Sequence, residues 1–199
     1  MISKIANSVA GYYSRKGVIP DEDVETYSYG FELVISSAIN LSCVMAAAVV
    51  FGVVYQALAF MLSFVLLRAF GGGYHARTHR GCILAFFILF IIFAYTLRYL
   101  PADVTAVFTL ASVWLSLVIV LLAAPVEAEN KPLSAAKRVR LRRICILVAT
   151  IYVIAATLMT LLLRQNNDIF AFAAAGQFAG SASIAFAAVR HRAKKSHEK

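Results

Sequence analysis

Long apolar stretches separated by short polar segments dominate the chain. After residue 30, the sequence contains five apolar stretches with almost no charged residue inside them, and the first is long enough for two spans. A transmembrane helix needs about 20 consecutive, mainly apolar residues. The pattern therefore predicts an all-α polytopic membrane protein with about six transmembrane helices. The predicted spans are 34–51, 53–70, 82–97, 104–124, 144–163 and 169–189.

The first two predicted spans lie in one apolar stretch. From Phe31 to Leu67, Glu32 is the only charged residue. A single helix over this stretch would be about 55 Å long at about 1.5 Å per residue, whereas the hydrocarbon core of a bilayer is about 30 Å thick. We therefore expect two crossings with a tight turn near Gly52.

The N-terminal segment is amphipathic rather than uniformly apolar. Its apolar residues recur at helical spacing between polar ones, which is typical of a helix lying on a membrane surface. Gly17 and Pro20 should end this helix. The apolar positions are Ile2, Ile5, Val9, Tyr12 and Tyr13.

The whole chain, residues 1–199, is predicted to form a single integral membrane domain. Its expected parts are an amphipathic segment (1–30), two spans (31–70), a polar segment with candidate chemistry (71–82), four further spans (83–189) and a basic tail (190–199).

Composition supports the membrane interpretation. Hydrophobic residues make up 61% of the chain and charged residues 15%, whereas soluble domains are near 45–50% apolar and roughly 25% charged. These values exclude an ordinary soluble domain, a disordered chain and a nucleic-acid-binding module. The expected environment is the lipid bilayer, and no nucleic acid is expected as a partner.

The net charge of +9 is concentrated in a few segments. Seventeen of the nineteen Lys and Arg residues lie in segments 1–30, 68–82, 125–143 and 190–199. Six spans would put all four segments on one side of the membrane. The positive-inside rule assigns that side to the cytoplasm. The N-terminus, segment 71–82 and the C-terminus are therefore predicted to be cytoplasmic.

Small residues recur in register along the last predicted span. Gly176 and Gly180 form a G-x-x-x-G pattern, which allows two helix backbones to approach closely in lipid. We expect this face to pack against another helix of the same chain. A homodimer interface is the alternative. The remaining small residues of the pattern are Ala173, Ser183 and Ala187.

One polar segment, residues 68–82, carries the candidate chemistry. It contains two of the four histidines, three arginines and four glycines, and it ends at Cys82. A cysteine with a nearby histidine is the minimum for a thiol nucleophile with its own base, and His75 and Cys82 supply this pair. The flanking arginines favour the thiolate. In contrast, Cys43 and Cys145 lie in apolar stretches, where a thiol behaves as a small hydrophobe.

Other interpretations of the same residues are open. His75, His79 and Cys82 have the i, i+4, i+7 spacing of three metal ligands on a helix, and the segment could also be a basic loop with an incidental cysteine. At the level of the whole protein, a small transporter or channel should carry ionisable residues inside its spans, and the centres of the six spans have none. A non-enzymatic membrane protein would use its basic loops to bind anionic lipid.

The block Gly72-Gly73-Tyr74-His75-Ala76, with Cys82 seven positions after the histidine, resembles the AgrB family. These are bacterial membrane cysteine endopeptidases that process AgrD-type precursors of cyclic quorum-sensing peptides. The likeness extends to the amphipathic N-terminus, the six spans and a basic loop after the fourth span that contains Asn130-Lys131-Pro132.

The resemblance implies roles for individual residues. Cys82 would be the nucleophile and His75 the general base, while Arg68 and Gly73 match supporting positions. No metal or cofactor is implied. Substrate contacts would come from the basic loop, in which Glu127 and Glu129 depart from the more purely basic loops of some members. The implied substrate-binding residues are Lys131, Arg138 and Arg140.

The resemblance also implies a partner and a reaction. The partner is an AgrD-like precursor peptide, which would be cleaved through a thioester on Cys82. A Cys or Ser side chain of the precursor would then attack the thioester and close a thiolactone or lactone ring. Tethering gives that internal nucleophile a high effective concentration.

Overall fold

The computed structural model describes residues 2–72, 79–126, 134–162 and 168–197, and every regular element in these ranges is helical. Six of the helices are long and apolar enough to cross a membrane, which confirms the predicted class of all-α polytopic membrane protein. The helices are α1 (Ile2–Arg15), α2 (Val24–Phe51), α3 (Val54–Gly71), α4 (His79–Tyr99), α5 (Ala102–Ala123), α6 (Ala135–Thr157) and α7 (Asp168–His197).

The predicted turn between the first two spans is confirmed. Gly52 has φ +69°, in the left-handed region that favours glycine. The Gly52 N–H donates to the Val49 carbonyl at 3.1 Å, and the Val53 N–H donates to the Ala48 carbonyl at 2.8 Å. These bonds satisfy carbonyl groups at the end of α2 and allow the chain to reverse into α3.

The chain divides into two compact units, and the smaller one contains Met1–Ala47 and Ala76–Ile88. In it, α1 is held against the start of α2, because the Ser28 hydroxyl donates to the Asn7 side chain and the rings of Tyr13 and Phe31 stack with centroids 6.1 Å apart. The buried face of α1 consists of Ala6 and Ala10. Bulky residues remain exposed, as expected for a helix that presents apolar side chains to a membrane surface. They include Ile5, Tyr12 and Tyr13.

The larger unit contains Ala48–His75 and Leu89–Lys199, and α7 is its most buried span. α7 packs mainly on α3 and α5. A Cβ on Gly176 would lie 2.1 Å from the Phe60 carbonyl oxygen, and one on Gly180 would lie 3.4 Å from the Phe64 carbonyl oxygen. Gly176 and Gly180 of α7 therefore allow close packing on α3 within one chain, as expected.

Hydroxyl groups of the described residues connect helices of the larger unit. The hydroxyls of Ser63 on α3 and Tyr152 on α6 lie 2.7 Å apart, and the Ser181 hydroxyl on α7 donates to that of Ser116 on α5 at 3.1 Å. Such bonds between membrane helices contribute modestly, about 0.6 kcal/mol each on average. Neither of these two bonds joins α3 to α7, whose close contact is made through Gly176 and Gly180.

Three boundaries predicted from hydropathy differ from the structure. The first span belongs to a helix that begins at Val24 rather than at residue 34. The predicted basic loop 125–143 is helical from Ala135, and the predicted tail 190–199 is helical through His197. At the last two boundaries the residues beyond the span are mainly Ala, Lys and Arg, which favour helix, so the helix continues past the apolar residues that hydropathy detects.

Candidate active site

The end of α3 positions the first of the predicted site residues. Arg68 lies in the last turn of α3, where a cation interacts favourably with the helix dipole. Its guanidinium carbon is 5.5 Å from the centroid of the Phe64 ring. The side chain is thus held along the surface of α3, three residues before the helix ends at Gly71.

Two consecutive glycines lie at the end of α3, and at Gly72 both the backbone conformation and a backbone contact require glycine. A Cβ on Gly71 would lie 2.5 Å from Cδ1 of Ile184 on α7. Gly72 has φ +72°, and a Cβ there would lie 2.4 Å from the carbonyl oxygen of Val126. The end of α3 lies within one residue of the predicted end of the second span at residue 70, and it is also a site of close backbone packing.

The glycines pair with the segment that follows α5. The Val126 N–H donates to the Gly71 carbonyl at 3.0 Å, and the Gly72 N–H donates to the Arg68 carbonyl at 3.1 Å. Val126 lies near the start of the predicted basic loop 125–143, and Gly72 lies near the start of the predicted segment 71–82. The described starts of these two segments therefore lie side by side.

Cys82 belongs to the smaller unit and lies in the first turn of α4, which begins at His79. Its side chain is half-buried and its thiol forms no disulfide. Backbone N–H groups and the helix dipole favour negative charge at this end of a helix.

The other two cysteines have different environments. Cys43 lies exposed within the long apolar helix α2. Cys145 is fully buried on α6 in an apolar cluster with Leu67, Val120 and Ile184. Cys82 is thus the one cysteine of the chain in the first turn of a helix, and it directly follows the Gly-rich polar segment in sequence.

Three predicted site residues, Gly73, His75 and Lys131, lie outside the described residues, as does the side chain of His79. Within the part of the chain that is described, no group of three His, Cys, Asp or Glu side chains comes together as a metal site.

The remaining candidates, Arg138 and Arg140, lie in the first two turns of α6 and are exposed. Ser134 caps this helix, because its side chain accepts a hydrogen bond from the Lys137 N–H at 3.4 Å. Arg142 donates from Nη2 to the Leu121 carbonyl in the last turn of α5 at 3.1 Å. The basic residues are therefore held on a helix fixed to the end of α5, rather than on a loop.

Sequence reasoning missed two of these features. Ser134 stands directly before a run of helix-forming residues, which is a recognisable N-cap signal. The contact between Gly72 and Val126 has no comparable local signal, because the two residues are far apart in sequence and meet only in the folded chain.

The fold and the site define the class of the protein, which is an integral membrane protein with a cysteine at the start of a membrane-crossing helix. Comparison with known proteins gives the family. The family described as "Accessory gene regulator B" matches residues 2–186. The chain therefore belongs to the AgrB family.

Individual relatives agree with this assignment. The chain is 24% identical over 173 residues to "Putative AgrB-like protein 2" of Clostridium perfringens, covering 84% of this chain and 81% of the relative. It is 27% identical over 115 residues to an AgrB-like protein of Listeria monocytogenes, covering 56% of this chain and 55% of that protein. No solved structure matches the chain. Membership of the family supports a role in the processing of quorum-sensing peptides of the accessory gene regulator type, with an AgrD-type peptide as substrate.

Proposed function

We propose that the protein is a membrane cysteine endopeptidase that cleaves an AgrD-like precursor through a thioester on Cys82 and promotes its cyclisation to a thiolactone or lactone. The observation that carries the proposal is the position of Cys82 in the first turn of α4, directly after the Gly-rich segment that contains His75. Membership of the AgrB family supports the substrate class.

The first half of the proposed reaction forms the thioester. His75 accepts the proton of the Cys82 thiol, and the thiolate attacks a peptide carbonyl carbon of the precursor. The tetrahedral intermediate collapses when the C–N bond breaks and His75 returns the proton to the departing amine. The C-terminal fragment leaves, and the N-terminal part remains bonded to the sulfur of Cys82.

The second half closes the ring. A Cys thiol or Ser hydroxyl within the bound precursor attacks the thioester carbonyl and loses its proton to His75. The carbonyl–sulfur bond to Cys82 breaks, and the departing sulfur takes the proton from His75, so that both groups return to their starting state. Ring closure competes with hydrolysis because the internal nucleophile is tethered, and because a site at the membrane edge limits access of water.

Stabilisation of the oxyanion in both tetrahedral intermediates is assigned to the start of α4. Oxyanions are commonly bound by backbone N–H groups and helix N-termini. The Gly72 N–H is bonded to the Arg68 carbonyl, and Gly71 belongs to α3. The positive end of the α4 dipole, adjacent to Cys82, is therefore the stronger candidate.

Arg68 and Gly73 are proposed as positioning residues for the catalytic segment. The glycine pair at Gly71 and Gly72 directs the chain out of α3 and holds it against Val126. Arg68 lies in the turn before this exit, and Gly73 would continue the backbone towards His75. Neither residue needs to touch the reacting atoms to affect the rate, since both would determine the position of His75.

Arg138, Arg140 and Lys131 are proposed to bind an acidic region of the precursor. Arg138 and Arg140 lie exposed near the N-terminus of α6, where cations are unfavourable for helix stability because they face the positive end of the dipole. The positive end of the α6 dipole and the positive charges of these side chains would together favour an anionic partner. Attraction between exposed charges is screened over about 8 Å at physiological salt, so it would mainly recruit the precursor.

The basic ends of the helices are proposed to face the cytoplasm, where a newly made precursor would arrive. This orientation places the N-terminus, the Cys82 segment and the C-terminus inside the cell, in agreement with the positive-inside rule. The protein would then be a multi-pass protein of the bacterial cell membrane with its active site at the inner surface.

The proposal is tested by coexpressing the protein with its precursor and measuring cleavage by mass spectrometry. Cys82→Ala and His75→Ala should each reduce cleavage by several orders of magnitude. Cys43→Ala is the matched control, because it removes an exposed thiol from the same unit of the protein, and it should leave cleavage unchanged. Cleavage by Cys82→Ala at the wild-type rate would refute the cysteine endopeptidase.

A further inference from the structure

A cavity of about 450 Å³ lies at the end of the larger unit where α3, α5 and α7 begin. These helices run away from the cavity, and α3 and α5 end at Gly71 and Ala123, so the cavity is at the opposite end of the bundle from the glycine pair. Its volume is in the range of sites that bind small molecules, about 300–1,000 Å³. The proposed endopeptidase does not use this cavity.

Among the described residues, two side chains of opposite charge line the cavity. Arg98 extends from the end of α4 and donates to the Phe51 carbonyl at the end of α2. Asp168 is the first residue of α7. Both side chains are exposed. Arg98 thus offers a site for an anion, and Asp168 offers a site for a cation in the same cavity.

The rest of the lining is partly polar and partly apolar. Gln56 and the nearly buried Thr105 add polar atoms, while Phe51, Leu97 and Phe172 supply apolar surface. A ligand with a charged end and a hydrocarbon end would match this division.

Exposed tyrosines surround the same end of the bundle. Tyr55 on α3 and Tyr95 and Tyr99 on α4 are each more than half exposed, and the rings of Tyr95 and Tyr99 have centroids 4.9 Å apart. Tyrosine is enriched where a membrane protein crosses the boundary between hydrocarbon and headgroups. This belt places the cavity at the level of the lipid headgroups.

We propose that the cavity binds the zwitterionic headgroup of an aminophospholipid. The guanidinium of Arg98 would bind the phosphate, which suits its planar arrangement of donors, and the carboxylate of Asp168 would bind the primary ammonium group. The glycerol and the first acyl carbons would lie on Phe51, Leu97 and Phe172. An anionic lipid without an ammonium group would leave Asp168 beside negative charge, and a choline headgroup has no N–H to donate.

The proposal is tested by native mass spectrometry of the purified full chain with phosphatidylethanolamine, phosphatidylcholine or phosphatidylglycerol of identical acyl chains. Phosphatidylethanolamine should bind most tightly, by about two- to fivefold, as expected for interactions between exposed charges. Equal binding of the three lipids to the wild-type protein would overturn the proposal.

Variants separate a specific site from general lipid binding. Asp168→Asn keeps the shape of the side chain and should remove the preference for phosphatidylethanolamine over phosphatidylglycerol. Asp103→Asn is the matched control, because Asp103 lies in the first turn of α5 at the same end but does not line the cavity. Equal preferences in Asp168→Asn and the wild-type protein would refute the assignment.

Arg98 is tested with two substitutions, because it also bonds to the end of α2. Arg98→Lys keeps the positive charge and should retain most phosphatidylethanolamine binding, whereas Arg98→Gln should weaken binding of all three lipids. If Arg98→Gln fails to fold, the Asp168 and Asp103 variants still decide the question. Cys82→Ala should bind the lipids as the wild-type protein does, so the result is independent of the proposed endopeptidase.

Discussion

Replacement of Gly72 by alanine tests whether the contact between Gly72 and Val126 controls activity. A Cβ on Gly72 would lie 2.4 Å from the Val126 carbonyl oxygen, and the backbone at Gly72 has φ +72°. Real Cβ contacts essentially never fall below 3.0 Å, so the two backbone segments must separate by more than half an ångström. The perturbation therefore combines backbone strain with a forced displacement of Val126.

The magnitude follows from two contributions. An alanine held in such a backbone conformation costs about 1–3 kcal/mol, and loss of the bond between the Val126 N–H and the Gly71 carbonyl costs about 0.5–1.5 kcal/mol. The sum is smaller than the usual free energy of unfolding, about 5–15 kcal/mol, so the protein should remain folded. Because Gly72 precedes His75 by three residues, displacement by about 1 Å should reduce cleavage by roughly 10²-fold.

The assay is single-turnover cleavage of the precursor by protein in lipid nanodiscs, together with thermal unfolding. Gly52→Ala is the matched control, because Gly52 has a similar positive φ of +69° but no atom within 4 Å of the added Cβ. It should lose stability from backbone strain and retain cleavage. Equal cleavage by Gly72→Ala and the wild-type protein, or an equal loss in Gly52→Ala, would refute the reasoning.

Three further predictions address packing, substrate binding and orientation. Gly176→Ala should lower the thermal stability strongly, and more than Gly180→Ala does. The reason is that the added Cβ would lie 2.1 Å from a backbone oxygen at Gly176 and 3.4 Å from one at Gly180. Equal losses of stability would contradict the close α3–α7 packing. Arg138→Gln combined with Arg140→Gln should weaken precursor binding measured at low salt, and the difference from wild type should diminish at high salt; a salt-independent difference would contradict charge attraction. In intact cells, a variant with Cys82 as its only cysteine should react with a membrane-permeant maleimide and not with an impermeant one; labelling by the impermeant reagent would reverse the proposed orientation.

The candidate site was only partly predictable from the residues. The polar setting of Cys82 is visible in the sequence. Arginines and glycines precede Cys82, whereas Cys43 and Cys145 lie inside hydrophobic spans. The helical state of the basic residues was predicted wrongly, although Ser134 and the following residues carry a local signal for a helix start. Hydropathy reports which residues can enter lipid, and it carries no information on where a helix extends into the polar region.

The sequence by itself determined the membrane class, the number of spans and the turn at Gly52. These features follow from bilayer thickness and from local backbone preferences, which act on neighbouring residues and are therefore readable along the chain. The tertiary structure decided that Gly72 packs on Val126, that Gly176 packs on Phe60, and that Arg98 and Asp168 line one cavity. Each of these contacts joins residues distant in sequence, and its geometry depends on how closely whole helices approach, so no local pattern of residues specifies it.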